Sequence, residues 1–468
     1  MAKIEINFIN GAYTARSKNL NAQLCQNFYI ETDTTGAKNG VALIGCPGCI
    51  EWKDTGNYAE VRNFKVYQNN LYVVVGNTLY KISTAKTQTT IGTIGTSSGW
   101  VDMEEDGIYL VIGDSAGGWV YDGGTLTYVS PTTLTPSSLT YQDGYCIATI
   151  TGTDQFFISA QDDFSTWDAT DYATAESSGD ILVSAKSVRN QLWLLGKFST
   201  EVWYNSGETF PFNRNPGGVL PYGCSSKRSV AFFKDMLFWL DNQNRVVIGK
   251  GLTIQPVSTY QIDYQIGLMK RKDNSVGFTY SQEGHDFYEI TFPTDSKTFC
   301  YDITTGIWHT RASGALNKRS IANCAIEFDS KVLVGDFENG KIYEYSLEAY
   351  DDDGEPKVAI RRGQTINDKK QRIFFGLFEL DMETGIGNAD VTDPQIMLRW
   401  SDDNGKTWSS EKWKSLGKTG EYKTRVRWKR LGSSFGRIFE VAISDAVKRN
   451  ITNVYVDGTA GGTANAKT

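Results

Sequence analysis

One pattern recurs along this chain and narrows what it can fold into. A polar turn leads into a short strand rich in aromatic and β-branched residues; a Gly/Asn/Asp turn follows, then a second strand. The pattern occupies residues 69–82 and returns at 106–113 with 118–123. Further copies start near Asp143, Arg189, Lys234, Glu283 and Asp329, so the starts lie about 37 to 49 residues apart. Alternation at period two makes a half-buried strand, and Asn-Gly or Asp-Gly supplies the positive φ of a tight turn. A period of this length is that of a four-stranded propeller blade. One hairpin cannot bury its apolar face alone, whereas stacked blades can. The expected class is all-β: a β-propeller of six or seven blades with an additional C-terminal β domain. A series of β-sandwiches would show the same alternation with less regular spacing.

Around residue 350 the character of the chain changes. Tyr350–Pro356 is an acidic, turn-rich break. Between Lys357 and Asn450 there are 19 Lys/Arg against 12 Asp/Glu, a local balance of +7. With −7 overall, the remainder carries −14. The sequence therefore divides into an N-terminal strand segment closing or flanking the propeller (1–60), the propeller (61–348), a C-terminal β domain (357–456) and a flexible tail (457–468). Hydrophobic residues at 40% support a real core. The acidic balance argues against a protein that coats nucleic acid. No stretch approaches the ~18 apolar residues of a membrane helix and no signal peptide opens the chain, so the isolated protein is expected to be soluble, away from membranes.

The search for chemistry finds little. Cys46 and Cys49 form the only C-x-x-C, but Pro47-Gly48 reads as a turn closing a strand, without the helix start or second pair that redox or zinc chemistry would need. His285 and His309 are the only histidines, each beside aromatics, and read as structural. The hydrolase, P-loop and dinucleotide signatures are all missing. Asp162-Asp163 and Asp351-Asp352-Asp353 read as solvated turns. No catalytic residue, cofactor or metal site is expected.

Two motifs remain. Ser401-Asp-Asp-Asn-Gly-Lys-Thr-Trp408 matches the Asp-box pattern through Ser401, Asp403, Gly405, Thr407 and Trp408. Asp403 is placed to accept from turn amides, Gly405 to supply the unusual backbone angle, and Thr407 and Trp408 to pin the turn. The box specifies a hairpin, not a reaction. In 423–430, read as a strand, Lys423, Arg425, Arg427 and Lys429 share one face, with Arg430 next; Thr424, Val426 and Trp428 share the other. Two readings stay open: a solvated strand face, or an electrostatic patch for an acidic partner or for phosphates.

Several segments together resemble the packaged-DNA stabilisation proteins of tailed phages, the tail hub or nozzle of short-tailed bacteriophages. They include 26–31, 43–48, 157–169, 172–176, 191–196, 200–207, 333–336, 339–344, 353–356, 397–403 and 420–428, in conserved order along most of the chain. The resemblance implies a structural virion protein, assembled in the bacterial host cytoplasm as a homohexameric ring below the portal and adaptor proteins. There it would extend and help seal the DNA exit channel, meet tail fibre or spike proteins, and let packaged DNA pass without sequence-specific binding. It brings no catalytic residues. The alternatives are a glycan- or receptor-binding propeller with aromatic platforms such as Trp203, Tyr204 or Trp239, and, further off, a glycosidase.

Overall fold

The computed structural model describes residues 4–5, 8–9, 16–18, 21–32, 40–129, 135–175, 179–369 and 371–460. It contains two compact units: 51–296 with 321–344, and 1–50 with 297–320 and 345–468.

The first unit is built from antiparallel meanders. Val61–Tyr67, Asn70–Val75, Thr78–Ile82 and Gln88–Thr93 form one four-stranded sheet. Equivalent sheets follow over 102–128, 136–174, 182–220 and 231–256. Val276–Gln282 and His285–Phe292 make the next hairpin. Ala322–Phe328, Lys331–Asp336 and Lys341–Ser346 make the last meander, which takes its fourth strand from the front of the chain, Gly48–Asp54, whose residues 51–54 belong to this unit. Counted along the described residues, the meander begins seven times. The turns visible in the sequence are those between the first and second strand of each blade. Asn69, Asp143, Asn190, Lys234, Glu283 and Asp329 all have positive φ, which the right-handed twist of a tight hairpin demands.

Neighbouring blades pack face to face. Val61, Phe64, Leu71 and Val73 of the first blade bury against Cys324, Leu333 and Ile342 of the last, which closes the ring. Tyr72, Val74 and Leu79 meet Leu110, Ile112 and Tyr121 on the other side. The same exchange repeats from the second blade to the fifth. The second strands thus bury both faces and read as near-continuous apolar runs such as Leu71–Val75 and Leu192–Leu195, whereas outer strands such as Gln88–Thr93 and Thr253–Pro256 stay largely exposed.

The second unit is a sandwich of two sheets. One runs Phe28–Thr32, Val41–Gly45, Asn450–Ala460, Ile373–Met382, Val426–Lys429. The other includes Ile307–Arg311, Leu24–Gln26, Ala359–Arg362, Gly436–Ile443, Gln395–Ser401 and Lys412–Ser415. Between them lie Phe28, Ile30, Leu43, Phe378, Leu398, Trp428, Phe439 and Val454.

The structure corrects three sequence expectations. Most of the N-terminal segment does not flank the propeller. Its strands at 24–26, 28–32 and 41–45 complete the sandwich, because Phe28, Ile30 and Leu43 find their apolar partners there. The tail does not begin at 457, since the last strand continues through Ala460, pairing Gly458 with Phe375 and Thr459 with Phe374; residues 461–468 lie outside the described residues. Third, Asp352 is not a solvated turn. It is buried and paired with buried Lys357 at 2.9 Å. Arg449 fastens the same break by donating to the carbonyls of Tyr350, at 2.5 Å, and Lys357, at 2.6 Å. Asn27 shows why an asparagine stands at the turn between two sandwich strands. Its φ of 55 suits Asn, and its buried amide donates to the carbonyls of Ala312 and Val358.

Candidate assembly surfaces

The propeller axis is where such a fold would hold a ligand. The first strands of successive blades pack around it, and the space left among Arg62, Asp102, Lys186, Lys227, Arg228 and Asn323 is about 110 Å³. Its charges are largely matched. Lys186 donates to Asp102 at 2.7 Å and to the Leu139 carbonyl at 2.9 Å. Glu104 meets Lys65 at 2.6 Å, and Glu60 meets Arg228 at 2.8 Å. Arg62, with Asp114 and Glu60 nearby, spends its guanidinium on the carbonyls of Gly76, Thr96, Ser98, Gly99 and Trp100 and on the Thr96 hydroxyl, clamping the loop at 96–100. Burial lowers Arg62 to about 10. It also lowers Lys227, whose ammonium sits 4.2 Å from the Trp100 ring centroid, to about 8. Room for a few waters remains; a duplex with grooves about 12 Å wide has no passage here.

The histidines are structural in setting. His285 is buried and stacked on Phe287 at 5.9 Å. Buried His309 accepts from Arg311 at 3.5 Å. Among the described residues, no group of three or more His, Cys, Asp or Glu could hold a metal ion.

The aromatic platforms are corrected by burial. Trp239 is 0% exposed, its indole donating to the Gly223 carbonyl. Trp203 is buried too, its indole bonded to Glu201. Both belong to inter-blade cores, and only Tyr204 faces solvent.

In the sandwich, the Asp-box turn is built from its side chains. Asp403 accepts from the amides of Lys406 and Thr407 and from the Thr407 hydroxyl at 2.6 Å. Ser401 Oγ donates to Asp403 and accepts from the Gly405 amide. Gly405 has φ +83. The bonds from Thr407 hold the Asp403 carboxyl well below its usual range. Trp408 lies against two guanidinium groups, Arg362 at 4.7 Å and Arg399 at 5.0 Å. Both arginines converge on fully buried Glu440. The turn is therefore locked to the sheet.

The basic segment is a strand only over Val426–Lys429, shorter than the 423–430 read from sequence. Before it, Glu421 and Thr424 close turns on Lys418 and Glu421. After it, Arg430 takes φ +59 and leaves the ladder. Within the strand the alternation holds: Val426 and Trp428 are buried, Arg427 and Lys429 face outward. Arg425 is tied back to Glu379 at 2.5 Å, while Lys423, Lys429 and Arg430 are exposed. The Trp428 indole donates to the Lys412 carbonyl at 2.8 Å, joining the end strands of the two sheets into one rim. That rim adds Lys412, Lys414, Trp413 and Tyr422, which the sequence reading missed. Lysines flanking an exposed Trp413 were the signal that could have revealed it.

Comparison with known proteins matches both parts of the chain. A family model described as "Bacteriophage P22 Gp10, beta-propeller" covers residues 4–349. A second, "Bacteriophage P22 Gp10, beta-sandwich", covers 360–459. No curated protein matches. Among solved structures, the WD40 beta propeller domain of Doa1 is similar at 12% identity and TM-score 0.43, over 64% of this chain and 97% of that one. The Neurospora crassa Pan2 WD40 domain is similar at 6% identity and TM-score 0.42, over 64% and 94%.

Proposed function

The chain belongs to the bacteriophage P22 Gp10 family, making it a structural protein of the phage tail, and from that premise we propose that it forms the hub or nozzle of the tail. In this reading it assembles as a homohexameric ring below the portal and adaptor proteins. It extends and helps seal the DNA exit channel, stabilises packaged DNA, and presents surfaces to fibres or spikes. The supporting observation is the family match across both the propeller and the sandwich. The propeller axis supports it from another side. The pocket of about 110 Å³ among its inner strands is crossed by ion pairs that brace the blades. Any channel wide enough for duplex DNA is then a property of the ring.

An acidic chain suits that task, since a net charge of −7 repels phosphate and lets DNA slide without sequence-specific contacts. The basic rim of Lys423, Arg425, Arg427, Lys429 and Arg430 is then a contact for an acidic protein surface. We propose no catalytic residue. Glycan binding loses two of its three platforms to the core.

Cryo-electron microscopy of the protein mixed with its phage's portal–adaptor assembly tests the reading. A ring docked below the adaptor is expected. A chain that stays single and ignores the adaptor would overturn it.

A further inference from the structure

Charge is distributed in this protein with unusual polarity. Residues 87–185 contain no Lys or Arg and 14 Asp or Glu. That −14 equals the whole deficit left by the +7 of residues 357–450. The carboxylates of this stretch run from Asp102 to Asp180, the second and third blades with their connections. Some of these carboxylates face inward onto Lys65 and Lys186. Asp122, Asp143, Asp162, Asp168 and Asp171 face solvent, and among the described residues none of the five is in an ion pair. Three exposed tyrosines stand among them: Tyr128, Tyr141 and Tyr172.

The sandwich rim is the complement. Lys412, Lys414, Arg427 and Lys429 lie on the end strands of the two sheets and exposed Lys423 on the turn before the second of them; they outnumber exposed Glu411 and Glu421 around Trp413 at 51% and Tyr422 at 75% exposure. Surfaces ordinarily intersperse the two signs, and a stretch of one sign, as in 87–185, is a steering device. Exposed aromatics inside a charged frame are the composition of an interface anchor.

We infer that the basic rim of one copy docks on the acidic second and third blades of the next. This rests on the ring reading and names the contact that holds the ring. Two different patches on one chain make a heterologous contact, and such a contact generates a closed ring when its rotation closes. A contact between identical patches would pair like with like here, acid on acid or base on base. An edge of acids could serve only to stop unwanted sheet extension, but that role calls for no complementary basic rim elsewhere on the chain.

A charge swap tests the contact. One variant carries Lys414→Glu, Arg427→Glu and Lys429→Glu; a second carries Asp162→Lys, Asp168→Lys and Asp171→Lys; a third combines all six. Association is read by sedimentation velocity at low and high salt, with circular dichroism confirming each fold. The first two variants should associate at least about tenfold more weakly than the parent, and the combined variant should recover. Parental association should weaken as salt rises. Triple variants that assemble like the parent would overturn the contact while leaving the ring intact. So would a combined variant that is folded yet dissociated. A basic-rim variant that assembles normally but loses binding to duplex DNA would make the rim a phosphate surface instead. A parent forming no ring, even on the portal–adaptor assembly, would remove the ring reading and this contact with it.

Discussion

Buried charge at single residues sets much of the behaviour of both units. Glu440 is fully buried and neutralises Arg362 and Arg399, which in turn hold Trp408 between them. Glu440→Ala would leave two cations without their shared carboxylate. The expected loss is about 3–5 kcal/mol of sandwich stability, measured by urea unfolding. Lys227 works in the opposite sense. Burial lowers its folded pKa to about 8, against roughly 10.4 in the unfolded chain. Between those values the unfolded chain holds a proton that the folded one has released, so Lys227 makes stability rise with pH across that window. The melting temperature of the parent should therefore climb relative to Lys227→Met between about pH 8 and 10; parallel curves would refute the assignment.

At the scale of elements, the decisive device is the closure of the last blade. Gly340 has φ +70, and a Cβ there would fall 1.8 Å from the Asn57 carbonyl oxygen. Thr55 also donates to the Gly340 carbonyl at 2.7 Å. Gly340→Ala must open this seam, and a cost of about 1–3 kcal/mol for the strained backbone alone is expected, with faster amide exchange along 51–54. The sequence made the hairpins legible because each needs positive φ between its first two strands, and Asn69, Asp143 and Glu283 advertise that need locally. The source of the last blade's fourth strand was not legible. Gly48–Asp54 reads as any short strand, and its partner lies almost three hundred residues away. The basic segment was half legible. Alternation placed Val426 and Trp428 inward, but the turn at Lys418–Thr424 and the positive φ of Arg430 leave no mark in the alternation. Trp203 and Trp239 misled because an indole that ends in a hydrogen bond to Glu201 or Gly223 looks, in sequence, like one left open to a ligand.

For the whole molecule, the break near residue 350 was readable from charge, whereas the contribution of the front of the chain to the sandwich was not. Strands 28–32 and 41–45 share a sheet with Asn450–Ala460, which also pairs along Ile373–Met382. A chain ending at Arg449 should therefore leave 357–449 open to proteolysis, because Ile451, Val454 and Val456 vanish from the core; resistance of that segment would show that the last strand is dispensable. The same arrangement puts a clock on biosynthesis. The hairpin of 28–32 and 41–45 waits for its next partner until the ribosome has delivered the strand made last among those described, and such long-range pairing is slow to form. The sandwich rim thus matures only after the acidic blades have been synthesised. On the proposed contact, a nascent chain would in this way be kept from joining a neighbour before its rim is built.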